Sequence, residues 1–476
     1  GPLPETDNGP PGVSMQRIIK VTSLTGLLIL LWSALFAPTF RLPFFWDDYH
    51  LIRSYTGPEI RSAFHAVPDP DQIETPGLRP CSILLYNFQG SKFGENIFAH
   101  HVFMVVLMGI FMIAAGMLLL EVGLHFYQLA IVLALFVCSR IFASLVLWIS
   151  LSHLLLAYIF IVLTAYFFVL WTKKGRWSWF LLMLVAGTLA TFTREETYTL
   201  PIVLVILWLI SFFDRDQWPG VAMAALSLCA IVLFHYVLWH ILVPNALSPQ
   251  FTLGAVKRVF TAIKASCLPR GLAMVGTIDI LLGALWIIFV VGLIWMFAKF
   301  ARPRVRRQFL GVYCLGVLLC LPALGIGRPF GIALPTLAFM TAISITVGEV
   351  FTQIQMRGDT RDWQRPAVTA GIILGLVIGI GGGVRRSLEV ADSLRPNCAV
   401  RVLRDGEFLF DQLNRTVTIP AQRQNAGLAR LESFGIRSAT DLTRLKANLQ
   451  SNRASYRQNI PTGNSLFLSK YDYLSF

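Results

Sequence analysis

Two adjacent carboxylates, Asp47 and Asp48, are the residues of this sequence best suited to acid–base chemistry. They stand in the aromatic stretch Phe44–Ile52, a few residues beyond the first long apolar run. Aromatic neighbours at a membrane surface lower the local dielectric, and this perturbs the protonation of a carboxyl group. Such a pair can supply a general base. The alternative is structural, because acidic residues just past an apolar helix often only cap and solvate the next helix.

Four arginines are candidates for contact with an anion. Arg79, Arg194 and Arg328 lie between apolar runs, whereas Arg140 lies inside one. An arginine within a membrane span is costly, so it faces a polar cavity or a partner, or else its side chain extends to the interface. Two glutamates follow Arg194 directly. They can pair with it structurally or take part in the chemistry.

Three histidines, His100, His101 and His153, lie near the same end of the predicted helices as the acidic pair. A histidine satisfied by hydrogen bonds at the interface is the commoner case, and donation to a phosphate or sugar is the alternative. The seven cysteines and the histidines show no metal-ligand spacing. We therefore predict no cofactor, with a divalent metal held by these histidines and the acidic residues as the less favoured alternative.

The composition indicates which elements position these residues. Hydrophobic residues make up 55% of the sequence and charged residues 14%, and the mean hydropathy is +0.64, outside the range of ordinary globular domains. Apolar runs of about 20 residues recur, each able to cross a hydrocarbon core about 30 Å thick. We predict an all-α polytopic membrane protein with about eleven spans. The predicted spans are 18–37, 97–119, 127–148, 152–171, 178–193, 199–213, 220–243, 272–298, 308–325, 331–354 and 367–384.

The net charge of +14 is concentrated in short loops, as at Lys173–Arg176 and Arg302–Arg307. Short basic loops stay on the cytoplasmic side, so the excess charge indicates topology and not a nucleic-acid partner. This places the N-terminus inside and the acidic pair outside. Because the tail is compact and no eukaryotic signal is present, we predict a bacterial inner membrane with the acidic pair facing the periplasm.

The chain divides into three parts. The first part, which opens with Gly1-Pro2, is read as a disordered remnant of protease cleavage that precedes a natural start at Met15. A transmembrane module with two long outer loops follows, and a small outer domain ends the chain. The predicted bounds are 1–14 for the remnant, 15–384 for the module with loops 39–96 and 244–270, and 385–476 for the C-terminal domain.

Local patterns predict short elements outside the membrane. The predicted helices are Gly57–His65, Arg79–Phe88, an interfacial amphipathic helix at Leu253–Ala265, Ala426–Phe434 and Ala439–Gln450, and a strand is predicted at Thr416–Ile419.

Six short motifs occur in order along residues 16–384. They are Asp47-Asp48, Leu78-Arg79-Pro80, Phe98–His101, Leu147–Ser150, Thr193–Glu196 and Gly327–Pro335. Together they resemble the GT-C superfamily of membrane glycosyltransferases, and within it the O-mannosyltransferase branch that carries tetratricopeptide repeats. The chain departs from that branch at Ser139-Arg140 and Ser144, at Phe103-Met104 and in a tail without such repeats. The departures leave the sugar and the acceptor open.

The resemblance implies transfer of a monosaccharide from a polyprenyl-phosphate carrier, such as undecaprenyl phosphate, without a metal. The acceptor would be a glycan, a lipid-linked saccharide or a protein, with O-antigen or other envelope-glycan modification as a natural role. A phosphate is already a good leaving group, so an inverting displacement needs one carboxylate base and positive charge. Asp47 or Asp48 would be the base. The implied phosphate ligands are Arg328 first, then Arg194, Arg140 and Arg79, and the implied substrate contacts are Tyr49, His50, Glu195, Glu196, His100, His101 and His153.

Two other functions fit the same membrane architecture. A transporter or flippase for a lipid-linked sugar would bind with these residues without reacting, and it would have broken helices near the bilayer midplane and often an internal repeat. A scaffold protein that uses its tail for partners gives no reason for the surroundings of Asp47 and Asp48.

Overall fold

The computed structural model describes residues 15–65, 78–211, 217–242, 277–320, 333–356, 364–413 and 419–451. Within these ranges 86% of the residues are helical and none lies in a strand. In chain order the α-helices are α1 (Met15–Leu35), α2 (Asp48–Leu51), α3 (Gly57–Ser62), α4 (Pro80–Phe93), α5 (Ile97–Val122), α6 (Phe126–Val137), α7 (Arg140–Leu147), α8 (Ser152–Lys174), α9 (Trp177–Thr191), α10 (Leu200–Ser211), α11 (Trp218–Leu242), α12 (Thr277–Phe300), α13 (Pro303–Leu318), α14 (Ala333–Met356), α15 (Gln364–Ser393), α16 (Ala399–Leu413), α17 (Ala421–Ser433) and α18 (Ala439–Ser451).

Six of the described helices are long and apolar enough to cross a membrane, namely α1, α5, α8, α11, α14 and α15. Helices α11 and α15 bury only 22% and 11% of their most apolar windows, so most of their hydrophobic side chains point outward. Such a surface is unfavourable in water and favourable in lipid. The protein therefore has the architecture of an all-α polytopic membrane protein.

Each of the eleven predicted spans overlaps a described helix, but several of these helices are short. Helix α9 and residues Ala284–Phe300 of α12 are apolar helices of only 10–17 residues. The crossing count of eleven stays a prediction, whereas the helical membrane architecture is confirmed.

The predicted third span is broken. Helices α6 and α7 meet at an angle of 61°, as in a broken span or a re-entrant loop. Ser139 starts the second helix, since its Oγ accepts the N–H of Phe142 at 3.2 Å. From α15, Ser387 Oγ lies 3.1 Å from the carbonyl oxygen of Cys138 and 3.0 Å from that of Ser139. The hydroxyl thereby supplies a hydrogen-bond donor to the backbone carbonyls at the break.

The short extramembrane helices agree with the sequence pattern. Helices α3, α4, α17 and α18 correspond to the predicted ones, and α4 extends beyond its predicted end. Thr56 and Glu59 form a capping box at the start of α3. The predicted interfacial helix at Leu253–Ala265 lies outside the described residues, as does the predicted strand at Thr416–Ile419 except for its last residue.

Helix α16 was not predicted, and it belongs to a second hydrophobic core outside the bundle. Side chains of the segment after α1, among them Phe44, Tyr49 and Ile52, are buried there together with Phe408 of α16 and Leu431 of α17. The C-terminal helices therefore pack directly on the acidic segment.

Candidate functional site

The acidic pair lies at the start of the short helix α2, in the segment that follows a 3₁₀ turn at Ala37–Arg41. Asp48 is 1% exposed, and its two oxygens accept backbone N–H groups, Oδ1 from Ser150 at 2.7 Å and Oδ2 from Phe45 at 3.0 Å. Asp47 is half-buried. Its Oδ1 accepts the indole N–H of Trp148 at 2.9 Å and the hydroxyl of Ser150 at 2.8 Å. The two carboxyl groups thus differ in access to solvent and share one partner.

The partners of the acidic pair come from the junction between α7 and α8. Helix α7 ends at Leu147, Trp148 is extended, and Ile149–Leu151 form a 3₁₀ turn. This change of backbone direction presents the indole of Trp148 and the backbone N–H of Ser150 to the loop. The rings of Phe45 and Trp148 meet edge to face with centroids 5.2 Å apart, which fixes the indole beside Asp47.

Burial and the neighbouring charge of Asp47 raise the pKa of Asp48 to about 8, and the N–H groups of Phe45 and Ser150 partly oppose this shift. Asp48 therefore favours its neutral form at neutral pH. A buried neutral carboxyl group is poorly suited to taking a proton from a substrate. Of the two residues, Asp47 has the geometry of a base, and Asp48 shapes the loop around it.

A polar chain leads from Ser150 to one of the predicted arginines. His153 Nδ1 lies 2.6 Å from the carbonyl oxygen of Ser150, and the hydroxyl of Tyr86 donates to the same oxygen at 2.9 Å. On the other edge of the imidazole, Arg194 Nη1 contacts Nε2 of His153. A guanidinium group only donates, so Nε2 accepts and the imidazole carries its proton on Nδ1. Asp47 and Arg194 are therefore connected through Ser150 and His153.

Arg194 and Arg79 are both paired with glutamates. Arg194 donates from Nε and Nη2 to the carboxylate of Glu196 at 2.7 and 2.6 Å. Arg79 holds Glu195 in the same two-pronged manner, with Nε at 3.0 Å and Nη2 at 2.8 Å. Burial raises the pKa of Glu195, but Arg79 more than offsets it and the net pKa lies below its usual value. These contacts match the pairing alternative of the sequence analysis, with each arginine taking one glutamate.

The remaining predicted contact residues are mostly held by the fold. Nε2 of His100 lies 3.0 Å from the carbonyl oxygen of Gly94, and Nε2 of His101 lies 3.2 Å from that of Leu42. Tyr49 is 3% exposed and His50 is 1% exposed. Neither Tyr49 nor His50 can contact a substrate unless this segment moves.

Arg140 is the first residue of α7 and is half-buried, so it stands at the break and not within a continuous span. Arg328, predicted as the first phosphate ligand, lies outside the described residues. Among the described residues no three His, Cys, Asp or Glu side chains are grouped closely enough to hold a metal ion.

The C-terminal helices bring arginines that the sequence analysis did not single out. Arg423 donates from Nη1 to the carbonyl oxygens of Asp48 and Ile52 at 2.9 and 2.6 Å, and it pairs with Glu95 at 2.8 Å. It thereby caps the short helix α2 at its carboxyl end, where a cation is favourable. Nη2 of Arg430 donates to the hydroxyl of Tyr49 at 2.7 Å. The sequence signal that could have identified them is the spacing of arginines along the amphipathic patterns of α16 and α17.

An apolar cavity lies in the bundle next to the polar chain. Tyr158 is close enough to the Arg194–Glu196 pair to be influenced by both charges, and it hydrogen-bonds to the backbone of Ala333. One turn further along α8, Ile161 and Val162 line the cavity. The other lining residues come from α5, α10, α13 and α14 and include Leu119, Val203, Leu207, Leu315, Leu319 and Leu334.

Comparison with known proteins finds no family model that matches this chain and no curated protein whose sequence matches it.

Proposed function

We propose that this protein is a membrane glycosyltransferase of the GT-C type, moving a monosaccharide from a polyprenyl-phosphate carrier to a glycan, lipid-linked saccharide or protein acceptor. The observation that carries the proposal is the half-buried carboxylate of Asp47, held by two neutral donors beside the buried Asp48. The indole and the hydroxyl orient this carboxylate, and an oriented carboxylate can accept a proton from a hydroxyl group.

The division of roles between the aspartates favours a single inverting displacement. A double displacement needs a carboxylate nucleophile and a second carboxyl group roughly 5 Å away, both with access to the sugar. Asp48 is 1% exposed, and both of its oxygens are engaged by the backbone. That leaves the half-buried Asp47 as the more accessible carboxyl group of the pair, and one carboxylate is sufficient for a base in one displacement.

The phosphate and the isoprenoid tail of the donor would bind on different sides of Tyr158. Its phosphate needs cations and hydrogen-bond donors, and the polar chain supplies Arg194, with Arg328 proposed on the strength of its motif. Its isoprenoid tail needs an apolar groove open to lipid. The cavity that starts at Ile161, one helical turn from Tyr158, offers such a surface.

The site would face the periplasm of a bacterial inner membrane. Basic residues such as Lys173 and Arg302 lie at the opposite end of the bundle from Asp47, where they pair with Glu121 and Glu349. This distribution agrees with the positive-inside rule.

The test is a transfer assay with purified protein and a panel of polyprenyl-phosphate sugars. Release of polyprenyl phosphate in the presence of acceptor is measured for the wild type and for Asp47→Asn. We expect release by the wild type with at least one donor and its loss in the variant. If the wild type consumes none of the donors under conditions where it binds them, the transferase proposal is wrong.

The broken helix pair α6–α7 favours a second candidate, a transporter or flippase for a lipid-linked sugar, because transporters often build their sites at discontinuous helices. The same protein reconstituted into vesicles separates the two functions. A flippase moves labelled lipid-linked sugar between leaflets with the glycosidic bond intact. A transferase breaks that bond.

A further inference from the structure

The backbone immediately before Asp47 adopts an unusual conformation. Trp46 has φ of +48°, and it is the one non-glycine residue with a positive φ in the described part of the chain. A tryptophan side chain disfavours this left-handed region, so the surrounding structure must impose the conformation. Because φ at Trp46 sets the direction in which the chain leaves that residue, it also sets where Asp47 points.

The contact that imposes this conformation comes from the C-terminal helices. The N–H of Trp46 donates to Oδ1 of Asp405 at 3.1 Å, across 359 positions of sequence. Asp405 is fully buried in α16, and its Oδ2 contacts Nε of Arg401 at 3.3 Å and Nη2 of Arg430. Two arginines on one oxygen hold the carboxylate in place, so that the other oxygen faces Trp46.

The same cluster holds the residues that precede Trp46. Nη2 of the fully buried Arg401 donates to the carbonyl oxygens of Pro43 and Phe44 at 2.7 and 2.8 Å. The guanidinium group of Arg404 lies over the indole of Trp46, 5.2 Å from the ring centroid. Helix α16 thus contacts both the backbone of Pro43 and Phe44 and the indole ring of Trp46, just before Asp47.

We propose that Asp405, supported by Arg401 and Arg430, is a positioning residue for the Asp47 base, and that the C-terminal domain is therefore part of the active site. This inference rests on the proposed function. Asp405 does not touch substrate. It keeps Trp46 in the left-handed conformation, which directs Asp47 toward Trp148 and Ser150.

The test is a double-mutant cycle in the transfer assay. Asp405→Asn keeps the volume of the side chain and weakens its grip on the arginines. We expect kcat to fall roughly 10- to 100-fold, the size of effect that a small misplacement of a reacting group produces, with KM for the donor unchanged. In the Asp47→Asn background the same substitution should lower the residual rate no further, because no base is left to position. A structural defect alone would multiply the two losses, and that outcome would overturn the proposal.

Glu407→Gln provides the matched control. Glu407 lies on the same helix, two residues from Asp405, and pairs at the surface with Lys446 at 2.9 Å. We expect wild-type kcat. If Asp405→Asn does not fold because it leaves Arg401 with a neutral partner, Arg430→Gln replaces it, since Asp405 then keeps its contact with Arg401.

Hydrogen exchange separates this proposal from the proposed function. In Asp405→Asn, amides of residues 44–52 should exchange at least about tenfold faster, while those of α5 and α8 stay unchanged. Unchanged exchange in that segment would refute the positioning role whatever the enzyme does. Faster exchange in a protein whose wild type transfers no sugar would refute the function and leave the positioning contact supported.

Discussion

Two acidic clusters lie on either side of Ser150 and His153, and their carboxylates are treated differently. In the first, Asp47 and Asp48 receive hydrogen bonds from an indole, a hydroxyl and backbone amides. In the second, Glu195 and Glu196 each receive two charged N–H donors from one arginine. The second cluster thus consists of two buried ion pairs, whereas the indole, hydroxyl and amide donors of the first are uncharged.

The two clusters therefore suit different roles, one in reactivity and the other in stability. A carboxylate fully paired with a guanidinium is stabilised as an anion, so its affinity for a proton is low. On this ground we assign Glu195 and Glu196 to holding the junction between α9 and α10, and the proposed proton transfer to Asp47.

The largest expected effect is that of Asp47→Asn on the rate of transfer. A general base contributes roughly 10²- to 10⁴-fold to a rate, so kcat should fall by that factor while donor binding persists. The measurement is steady-state release of polyprenyl phosphate, with Glu407→Gln as control. Retention of more than about a tenth of the rate would remove Asp47 from the role of base.

Substitutions in the Glu195–Glu196 cluster should instead lower the free energy of unfolding. Arg194→Met leaves Glu196 buried without its partner, which typically costs about 3–5 kcal/mol. In the double variant with Glu196→Gln no charge is left uncompensated, so most of the loss should be recovered. Denaturant unfolding in detergent measures both. If the double variant is as unstable as the single one, charge compensation is not what holds this junction.

A smaller effect is expected for Trp148→Phe, which removes the indole N–H from Asp47 and keeps an aromatic ring beside Phe45. Loss of a hydrogen bond to a charged group should lower the rate about tenfold or somewhat more. The ionised form of Asp47 loses a donor, so the acidic limb of the pH–rate profile should move to higher pH. An unchanged profile would mean that the indole does not influence the base.

The last prediction concerns the pH dependence of stability. Because the pKa of Asp48 is raised from 3.8 to about 8, the folded state binds a proton that the unfolded state has lost across this window. Stability should therefore fall as pH rises from about 4 to 8. Asp48→Asn should remove this component, as unfolding midpoints measured at several pH values would reveal. A wild type whose stability does not decline over that window would contradict the raised pKa.

Much of the architecture was accessible from the sequence because long apolar runs have one stable solution in a bilayer, the helix. The break at Cys138–Ser139 was not accessible, since neither residue forbids a helix and the compensating hydroxyl, Ser387, lies 248 positions away from Ser139. The acidic pair was identifiable because adjacent carboxylates stand out against aromatic neighbours. Its division into the half-buried Asp47 and the buried Asp48 depends on tertiary packing.

The C-terminal contribution was the largest omission. Arg401 and Asp405 read in sequence as an ordinary ion pair between residues four apart on a helix. Their role depends on contacts with Pro43, Phe44 and Trp46, which are more than 350 positions away in sequence. No local pattern encodes such a contact.

The shared core of the acidic loop and the C-terminal helices has a consequence for biosynthesis. The loop is made some 350 positions before the partners that bury Phe44 and Tyr49. Contacts at such separation form late. While the intervening helices insert, the apolar side chains of the loop remain exposed. Exposed apolar segments of this kind are bound by chaperones and cleaved by proteases. The segment around Asp47 thus reaches its observed packing only when α16 and α17 dock, and a product that ends before α16 would insert into the membrane with this segment uncovered.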